Sequence, residues 1–223
     1  MANEGIERCR KSFPFWEKLT NEERELLERN VSVVKYSKGE NIHSGGTSCK
    51  GIMIIKSGSL RTYLLSEGGR EVTLYRLYNG DVCVLSASCV LDYITFDVFV
   101  DAEEDSEVVI IGASAFQAVM NSNIYVECYA YKMIAESFSN VMWAVQQILF
   151  MSFDRRLANF LYEEMKKTGS DTVSLTHEQV AKYMGSAREV VTRMLKYFVN
   201  EGIVELSRGG IKIIDMHKLK RLL

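Results

Sequence analysis

The sequence predicts an α+β protein with three parts in order: a β-roll or jelly roll, one long helix, and a small helical part with a β-hairpin. Three observations in the 223 residues favour this order. Short β-rich segments broken by glycines fill residues 31–111, an apolar heptad repeat follows in 124–149, and basic helical segments come last. We place the three parts at residues 1–120, 121–151 and 152–223.

Composition excludes several classes of protein. Hydrophobic residues make up 47% of the chain and charged residues 25%, which is typical of a globular protein and not of a disordered one. No apolar run approaches the ~20 residues that a membrane helix needs. Residues 1–10 contain Glu4, Glu7 and Arg8 and no apolar core, so we expect no secretory signal and a cytoplasmic protein. The five cysteines are then expected to be free thiols.

The charge is distributed unevenly along the chain. Residues 1–150 carry 14 Lys and Arg against 20 Asp and Glu, whereas residues 151–223 carry 13 against 9. The last part is therefore basic although the whole chain has a net charge of −2. An excess of positive charge in one part makes that part a candidate for binding a polyanion.

The β-rich part is recognised from its residue types and its glycines. Residues 31–111 combine β-branched and aromatic side chains with a glycine turn about every ten residues, where a positive φ is needed. This spacing favours a sandwich or jelly roll over alternating strands and helices. The preceding segment, 20–30, predicts a helix because Thr20 and Asn21 are good N-caps.

The long helix is indicated by a seam of apolar residues at alternating spacings of four and three. Its members are Ile124, Cys128, Tyr131, Ala135, Phe138, Met142, Val145 and Leu149. No glycine or proline interrupts this seam, which predicts about 39 Å of helix. One amphipathic helix on its own sheet would explain the pattern. However, Ile134, Val141 and Ile148 form a second apolar line, so we expect one line to pack on the β part and the other on a second copy.

The last part has the outline of a winged helix-turn-helix. Thr176 is placed to cap a helix that runs to Met184, and Gly185 can end it in the left-handed region. A second helix is predicted over 187–200, and residues 203–214 predict a hairpin. Helix, tight turn, helix and hairpin in this order are typical of that DNA-binding fold.

The second of these helices carries residue types that can recognise DNA bases. Arg188, Glu189, Thr192 and Arg193 lie at spacings that place them on one helix face, after Ser186 in the turn. Arginine can bond guanine in a bidentate manner, and glutamate can accept from cytosine N4. A solvated charged face would show the same spacing, but the cap and the glycine turn before it favour base reading.

Residues 185–193, Gly-Ser-Ala-Arg-Glu-Val-Val-Thr-Arg, resemble the recognition helix of the Crp/Fnr family of bacterial transcription regulators. The resemblance extends over nearly the whole chain, since Lys38-Gly39-Glu40, Gly58 and Gly80-Asp81 match the glycine framework of the family's cyclic-nucleotide-binding-type β-roll. It implies a homodimer on a two-fold operator in double-stranded DNA, with RNA polymerase as a further partner. By the same resemblance, Arg188, Glu189 and Arg193 read bases, while Thr176 and His177 lie against phosphate.

The resemblance also defines an effector pocket, in which this chain departs from the cyclic-AMP-binding members. Those members hold the cyclic phosphate with an Arg-Ser or Arg-Thr pair, and the register places Phe96 and Asp97 there. Phenylalanine offers no donor and aspartate repels an anion, so we expect the protein not to bind cyclic AMP. The expected pocket residues are Asp81, Cys83, Phe96, Asp97, Val98, Val141 and Met142. A small apolar or aromatic effector, or none, would fit this set.

Other sensors and other functions stay open as alternatives. An iron–sulfur cluster is not expected because only Cys9 lies near the start, and the remaining cysteines are scattered. Cys83 and Cys89 could pair with Cys49 or Cys128 as a thiol switch or a metal site, but we expect these cysteines to be small buried side chains. Haem bound by His43 is a further alternative, but we expect His43 to be a surface imidazole. A regulatory module that acts through protein contacts, or an enzyme on a cupin-like roll, are the rival functions. We expect no enzyme and no metal, because the histidines are isolated from one another.

Overall fold

The structure is a computed structural model that describes residues 2–44, 50–84 and 98–223. Contacts between residues divide the chain into two units, each of which consists of two segments. The first unit comprises Met1–Leu64 and Leu74–Met142, and the second comprises Leu65–Thr73 and Trp143–Leu223. The predicted boundaries at residues 120 and 151 stay predictions.

Glycine-separated strands form two four-stranded sheets in the described part of the first 111 residues. The strands are β1 (Val31–Tyr36), β2 (Asn41–His43), β3 (Ile52–Ser57), β4 (Leu60–Leu65), β5 (Glu71–Leu77), β6 (Val82–Cys83), β7 (Phe99–Ala102) and β8 (Ser106–Ile111). Their orders are β1-β8-β3-β6 and β2-β7-β4-β5. The predicted β-roll is thereby confirmed. Residues 85–97 of the predicted β-rich part lie outside the described residues, and β7 begins at Phe99.

Strand β3 has consecutive apolar residues because both of its faces are buried. It pairs with β8 in antiparallel register, with Ile54 opposite Val109, and both of its faces are buried. Ile52 and Ile54 belong to the cluster that also contains the helices' aromatic residues, whereas Met53 and Ile55 face a second cluster with Leu60 and Val100. Because side chains alternate across a strand, β3 separates two layers of core.

Helices cover one face of the first sheet. They are α1 (Ala2–Ser12), a single 3₁₀ turn at Trp16–Lys18, α2 (Asn21–Arg29) and α3 (Ala113–Ser122). Thr20 closes a capping box with Glu23 at the start of α2, as its sequence predicts. Phe13 and Phe15 stack at 4.9 Å between ring centroids, and both meet the ring of Tyr129 edge-on. Neither α1 nor α3 is evident from sequence patterns.

The heptad segment forms one continuous helix, α4 (Ile124–Phe150). The line that faces the first unit's core contains the buried Val126 and Ala130 and the partly buried Ile134 and Val141. Ile134 and Val141, two members of the predicted second apolar line, pack against this core, but the third member, Ile148, is 41% exposed.

The second unit contains a winged helix-turn-helix, which confirms the predicted fold class. Its elements are α5 (Phe153–Thr168), β9 (Thr172–Val173), α6 (His177–Met184), α7 (Arg188–Asn200), β10 (Val204–Ser207), β11 (Gly210–Ile213) and α8 (Met216–Arg221). The strands form a sheet in the order β10-β11-β9. Leu157, Leu161, Val191, Leu195 and Phe198 are completely buried in a single core. Strand β9 and helix α8 are additions to the predicted outline.

Candidate nucleic-acid interface

Helix α6 is fixed at its N-terminus by a reciprocal cap. The hydroxyl of Thr176 accepts from the backbone N–H of Gln179, and the Gln179 side chain accepts from the backbone N–H of Thr176. Two of the helix's free donors are satisfied in this way, so the remaining N–H groups at this end stay available to a ligand. Both Thr176 and Gln179 are exposed, as a surface that contacts DNA requires.

The turn between α6 and α7 is fixed by a glycine and by two arginines. Gly185 has φ 56° and ψ 43°, the left-handed conformation that the sequence predicts for it. Arg156 donates to the carbonyl of Met184 at 3.4 Å, and Arg70 donates to the carbonyl of Gly185. Burial, and then the charge of Arg70, lower the pKa of Arg156. Cations at the C-terminal end of a helix are favoured by the helix dipole, so this end of α6 is stabilised.

Helix α7 is amphipathic, and this determines which residues it can present. Val191, Leu195 and Phe198 are completely buried in the core of the unit. They recur at spacings of four and three, so the residues between them point away from the core. We now find that the predicted base-reading residues occupy this outward surface.

The outward surface of α7 forms a shallow groove of about 380 Å³. Its lining residues are Arg188, Glu189, Thr192, Arg193 and Lys196. The structure therefore brings together the four predicted residues of this helix, and all but Thr192 are exposed. Sequence reasoning missed Lys196, although its spacing of four from Thr192 and three from Arg193 was a usable signal. Ser186 does not line this groove, and its backbone N–H donates to the Ala181 carbonyl.

His177 contacts the recognition surface directly. Its Nδ1 lies 2.9 Å from the hydroxyl oxygen of Thr192, which joins the first residue of α6 to the second turn of α7. Burial, and secondly the charge of Arg188, lower the pKa of His177 below its usual value. Both effects favour the neutral form of the imidazole over the protonated form. The predicted contact of His177 with phosphate stays a prediction.

A second groove, of about 350 Å³, lies beside the N-terminus of α6 and the hairpin of β10 and β11. It is lined by Ser174, Leu175, Thr176, His177, Leu206, Ser207, Arg208, Gly209, Gly210 and Ile211. Backbone N–H groups at a helix N-terminus and the cationic Arg208 both suit a phosphate. The groove thus unites the predicted Thr176 and His177 with hairpin residues that sequence reasoning left without a role.

The predicted dimer seam is exposed in the single chain. Phe138 is 63% exposed and Leu149 is 65% exposed, and Ile124, Tyr131 and Met142 are also among the exposed large apolar residues. Cys128 and Ala135 are exposed as well, and Val145 is half-buried. Large apolar side chains aligned along more than five turns of helix are unusual on a monomer and typical of an interface.

The predicted effector-pocket residues do not all lie together. Val98 is buried with Leu74 in a small cluster against which Val141 packs, whereas Met142 is 40% exposed on the seam side of α4. The carboxylate of Asp81 accepts from the backbone N–H of Tyr78 and so holds a turn. Cys83 is buried in the core between the sheets. Phe96 and Asp97 lie outside the described residues.

His43 requires a correction, because it is buried and not a surface imidazole. Only 4% of it is exposed, since its short strand β2 pairs with β7 and places His43 opposite Val100. Among the cysteines, Cys9 and Cys83 are buried and Cys128 is exposed, while Cys49 and Cys89 lie outside the described residues. Burial raises the pKa of Cys9 to about 12, so this thiol is protonated and unreactive.

The described ranges contain neither a cluster of metal ligands nor a helix that could span a membrane. Within residues 2–44, 50–84 and 98–223, three or more His, Cys, Asp or Glu side chains do not come together as a metal site would need. Over the same ranges, none of the helices has the length and apolar character that crossing a membrane demands.

Two family models match the chain. Residues 33–123 match the cyclic nucleotide-binding domain, and residues 155–222 match the Crp-like helix-turn-helix domain. The first match covers most of the β-roll and α3, and the second begins at α5 and ends in α8. Together they assign both halves of the chain to domains that occur in transcription regulators.

Similar proteins cover almost the full length of the chain. A crystal structure from Eubacterium rectale, described as a regulator of the Crp/Fnr family, is 44% identical and has a TM-score of 0.92. It covers 95% of this chain and 98% of its own. The transcriptional regulator flp of Lacticaseibacillus casei is 23% identical over 95% of this chain and 96% of its own. The cyclic AMP receptor protein of Thermus thermophilus is 22% identical over 95% of this chain and 97% of its own.

Proposed function

The chain belongs to the Crp/Fnr family of transcription regulators, and from that premise we propose that it reads a two-fold DNA operator with α7 of each subunit. Regulators of this family bind DNA through the helix-turn-helix and function as dimers. The observation that carries the proposal is the outward groove of α7, where Arg188, Glu189, Thr192 and Arg193 share one surface. Such a surface can enter the major groove while Val191 and its neighbours stay in the core.

In this proposal, three residues of the α7 groove contact bases and one contacts a phosphate. Arg193 and Arg188 bond guanine edges, and Glu189 accepts from cytosine. Lys196 lies one turn further along the helix and contacts a phosphate as a point charge. Thr176 and Arg208, in the second groove, contact phosphates on either side. Bases are thus read by Arg188, Glu189 and Arg193 of α7, whereas Lys196 and the second groove position the protein on the duplex.

Binding to a pool of randomised operators tests this division. Arg193→Ala should relax the preference at a single position of each half-site, at a cost of about 1–3 kcal/mol per half-site. Lys196→Ala is the matched control, since it removes the same charge from the same groove. It should weaken all sequences alike and reduce the salt dependence of binding by about 0.9 per subunit. If both variants keep the native sequence profile, α7 does not read bases.

We propose that the second copy packs along the exposed seam of α4 in parallel orientation. In a parallel pair, seam residues of the same number face each other across the two-fold axis. The exposed thiol of Cys128 then provides a direct test. A short bis-maleimide should join the two subunits of the native protein but not those of Cys128→Ser. A dimer in light scattering that Cys128 cannot cross-link would contradict parallel packing along this seam.

We propose further that the effector is a small apolar or aromatic molecule and not a cyclic nucleotide. The Thermus relative is named for cyclic AMP, but this chain departs from that binding pattern at Phe96 and Asp97. Support comes also from the buried cluster of Leu74 and Val98, against which Leu64, Tyr75 and Val141 pack. Burial raises the pKa of Tyr75, in keeping with apolar surroundings. An apolar ligand matches such surroundings better than a phosphate does.

The operator-bound dimer changes transcription by meeting RNA polymerase, either as a contact or as an obstacle. We propose this partner because a dimer bound at an operator beside a promoter can contact the polymerase or block its access. We place the protein in the cytoplasm, where bacterial operators are. Transcription from a promoter that carries the selected operator, with and without the protein, measures the direction of the effect.

A further inference from the structure

His177, at the start of α6, contacts a residue of the α7 groove. Its Nδ1 lies 2.9 Å from the hydroxyl oxygen of Thr192. Thr192 lines the groove of α7 together with Arg188, Glu189 and Arg193. A hydroxyl in that groove can either donate to a base or accept from one. If His177 already accepts the hydrogen of the Thr192 hydroxyl, the hydroxyl can only accept from a base. If His177 instead donates to the hydroxyl oxygen, the hydroxyl hydrogen is free to bond a base.

We propose that His177 positions the Thr192 hydroxyl and that its protonation state decides which base this hydroxyl prefers. The inference rests on the proposed function, since it concerns the same base-reading groove. His177 is a positioning residue here because it acts on the base through Thr192. The pair joins two helices, so it also holds α6 and α7 in one arrangement.

Hydrogen bonding gives the two states opposite preferences. In the neutral ring with its proton on Nε2, the Thr192 hydroxyl donates to Nδ1 and its lone pairs face the groove. The hydroxyl then accepts from an exocyclic amino group, which adenine and cytosine present in the major groove. In the protonated ring, Nδ1 donates to the hydroxyl oxygen, whose hydrogen is now free. The hydroxyl then donates to guanine or to thymine O4.

The charged groups around His177 determine how readily its ring is protonated. Arg188 on α7 is the charged group that opposes protonation of the ring in the free protein, after the effect of burial. Arg208 shares the second groove with His177, and Glu178 follows it on α6. DNA phosphates beside Arg208, in the second groove, would offset the positive charge of this side chain. Protonation of His177 is therefore easier in the complex than in the free protein, and binding and proton uptake are linked.

The experiment is selection from a randomised operator pool at pH 8 and at pH 6, at constant ionic strength. Thr192→Val removes the hydroxyl with little change in shape and identifies the base position that Thr192 faces. At that position, we expect the native protein to shift from adenine or cytosine at pH 8 toward guanine or thymine at pH 6. The expected change in the ratio of the two groups is about tenfold, as for one good hydrogen bond.

Two variants separate this role from a structural one. His177→Asn places an amide near the position of Nδ1 and cannot be protonated, so its profile should be the same at both pH values. His217→Asn is the matched control, because His217 is an exposed histidine on α8 of the same unit and its loss should leave the native shift intact. Hydrogen exchange of α6 and α7 confirms that both variants are folded.

Each outcome decides between the proposals. A native profile that is sequence-specific but identical at both pH values overturns the inference about His177 and leaves the proposed function standing. A pH shift that His177→Asn retains overturns it as well. Binding without any sequence preference at either pH overturns the proposed function itself. A shift that is present in the native protein and in His217→Asn but absent in His177→Asn supports the inference.

Discussion

Substituting Gly185 by alanine tests how the turn of the helix-turn-helix is held. Gly185 has φ 56°, a region in which a residue with a Cβ costs about 1–2 kcal/mol. An added Cβ would lie 2.9 Å from Cγ2 of Val72, which requires one of the two to move. Crowding of this kind costs about 1–3 kcal/mol, and the stiffer unfolded chain returns about 0.4–1 kcal/mol. We therefore expect Gly185→Ala to destabilise the second unit by about 2–3 kcal/mol.

Gly169→Ala provides the matched control for backbone strain. Gly169 has φ 66° at the end of α5, and a Cβ there would meet nothing within 4 Å. Gly169→Ala should lower the stability of the second unit by only about 1 kcal/mol, since the added Cβ is not crowded. A third variant, Val72→Ala, should restore part of the loss when combined with Gly185→Ala, because it removes the crowded methyl groups.

Urea unfolding followed by hydrogen exchange of α7 measures these changes in the second unit alone. The full chain is used, since two units need not unfold together. Equal losses in Gly185→Ala and Gly169→Ala would refute the packing of Val72 on Gly185. The same conclusion would follow if Val72→Ala gave strictly additive effects with Gly185→Ala.

Four further predictions concern other parts of the chain. Thr176→Ala removes the cap of α6 and should cost about 1 kcal/mol of stability while weakening binding to all operators alike, whereas a changed base profile would contradict its proposed role. Phe138→Glu places a charge on the exposed seam and should give monomers in light scattering and weak operator binding; an unchanged dimer would exclude the seam. Cyclic AMP should give no thermal shift, although a ligand at 100 times its Kd would stabilise by about 2.7 kcal/mol, so a saturable shift would contradict the proposed pocket. The lowered pKa of His177 means that its contribution to stability is complete above pH 6.5 and is lost as the pH falls below that value; His177→Asn should flatten this part of the stability curve.

The helix-turn-helix could be predicted from sequence because its local signals agree with its tertiary structure. Thr176 caps α6, and Gly185 takes the left-handed conformation that ends it. The apolar spacing of α7 corresponds to its buried face. Each signal depends on residues close in sequence, so no knowledge of distant contacts was needed.

Helix α1 could not be predicted because its stability comes from distant residues. Gly5 lies inside the helix, where glycine normally costs about 1 kcal/mol relative to alanine. A Cβ at this position would lie 2.9 Å from Val31 and 3.1 Å from Val33, so only glycine allows α1 to pack this closely on β1. The residue that suggests a break in the helix is the one that permits its packing.

Parts of the functional site were also hidden from sequence reasoning. The contact of His177 with Thr192 spans 15 residues and depends on how α6 and α7 cross. Arg208 joins the second groove only because the hairpin folds beside the start of α6. His43 looked exposed beside a glycine turn, but strand pairing buries it. Contacts that connect separate elements follow from the fold and not from local spacing.

The close packing of α1 on β1 also bears on aggregation. β1, Val31–Tyr36, is the outermost strand of its sheet and is rich in valine. A bare edge strand of this composition is a template for pairing with further chains. A bulky residue at Gly5 would lift α1 away and uncover the apolar side of this strand at Val31 and Val33. Loss of that one close approach would therefore be seen first as self-association of the β-roll, before any effect on DNA recognition.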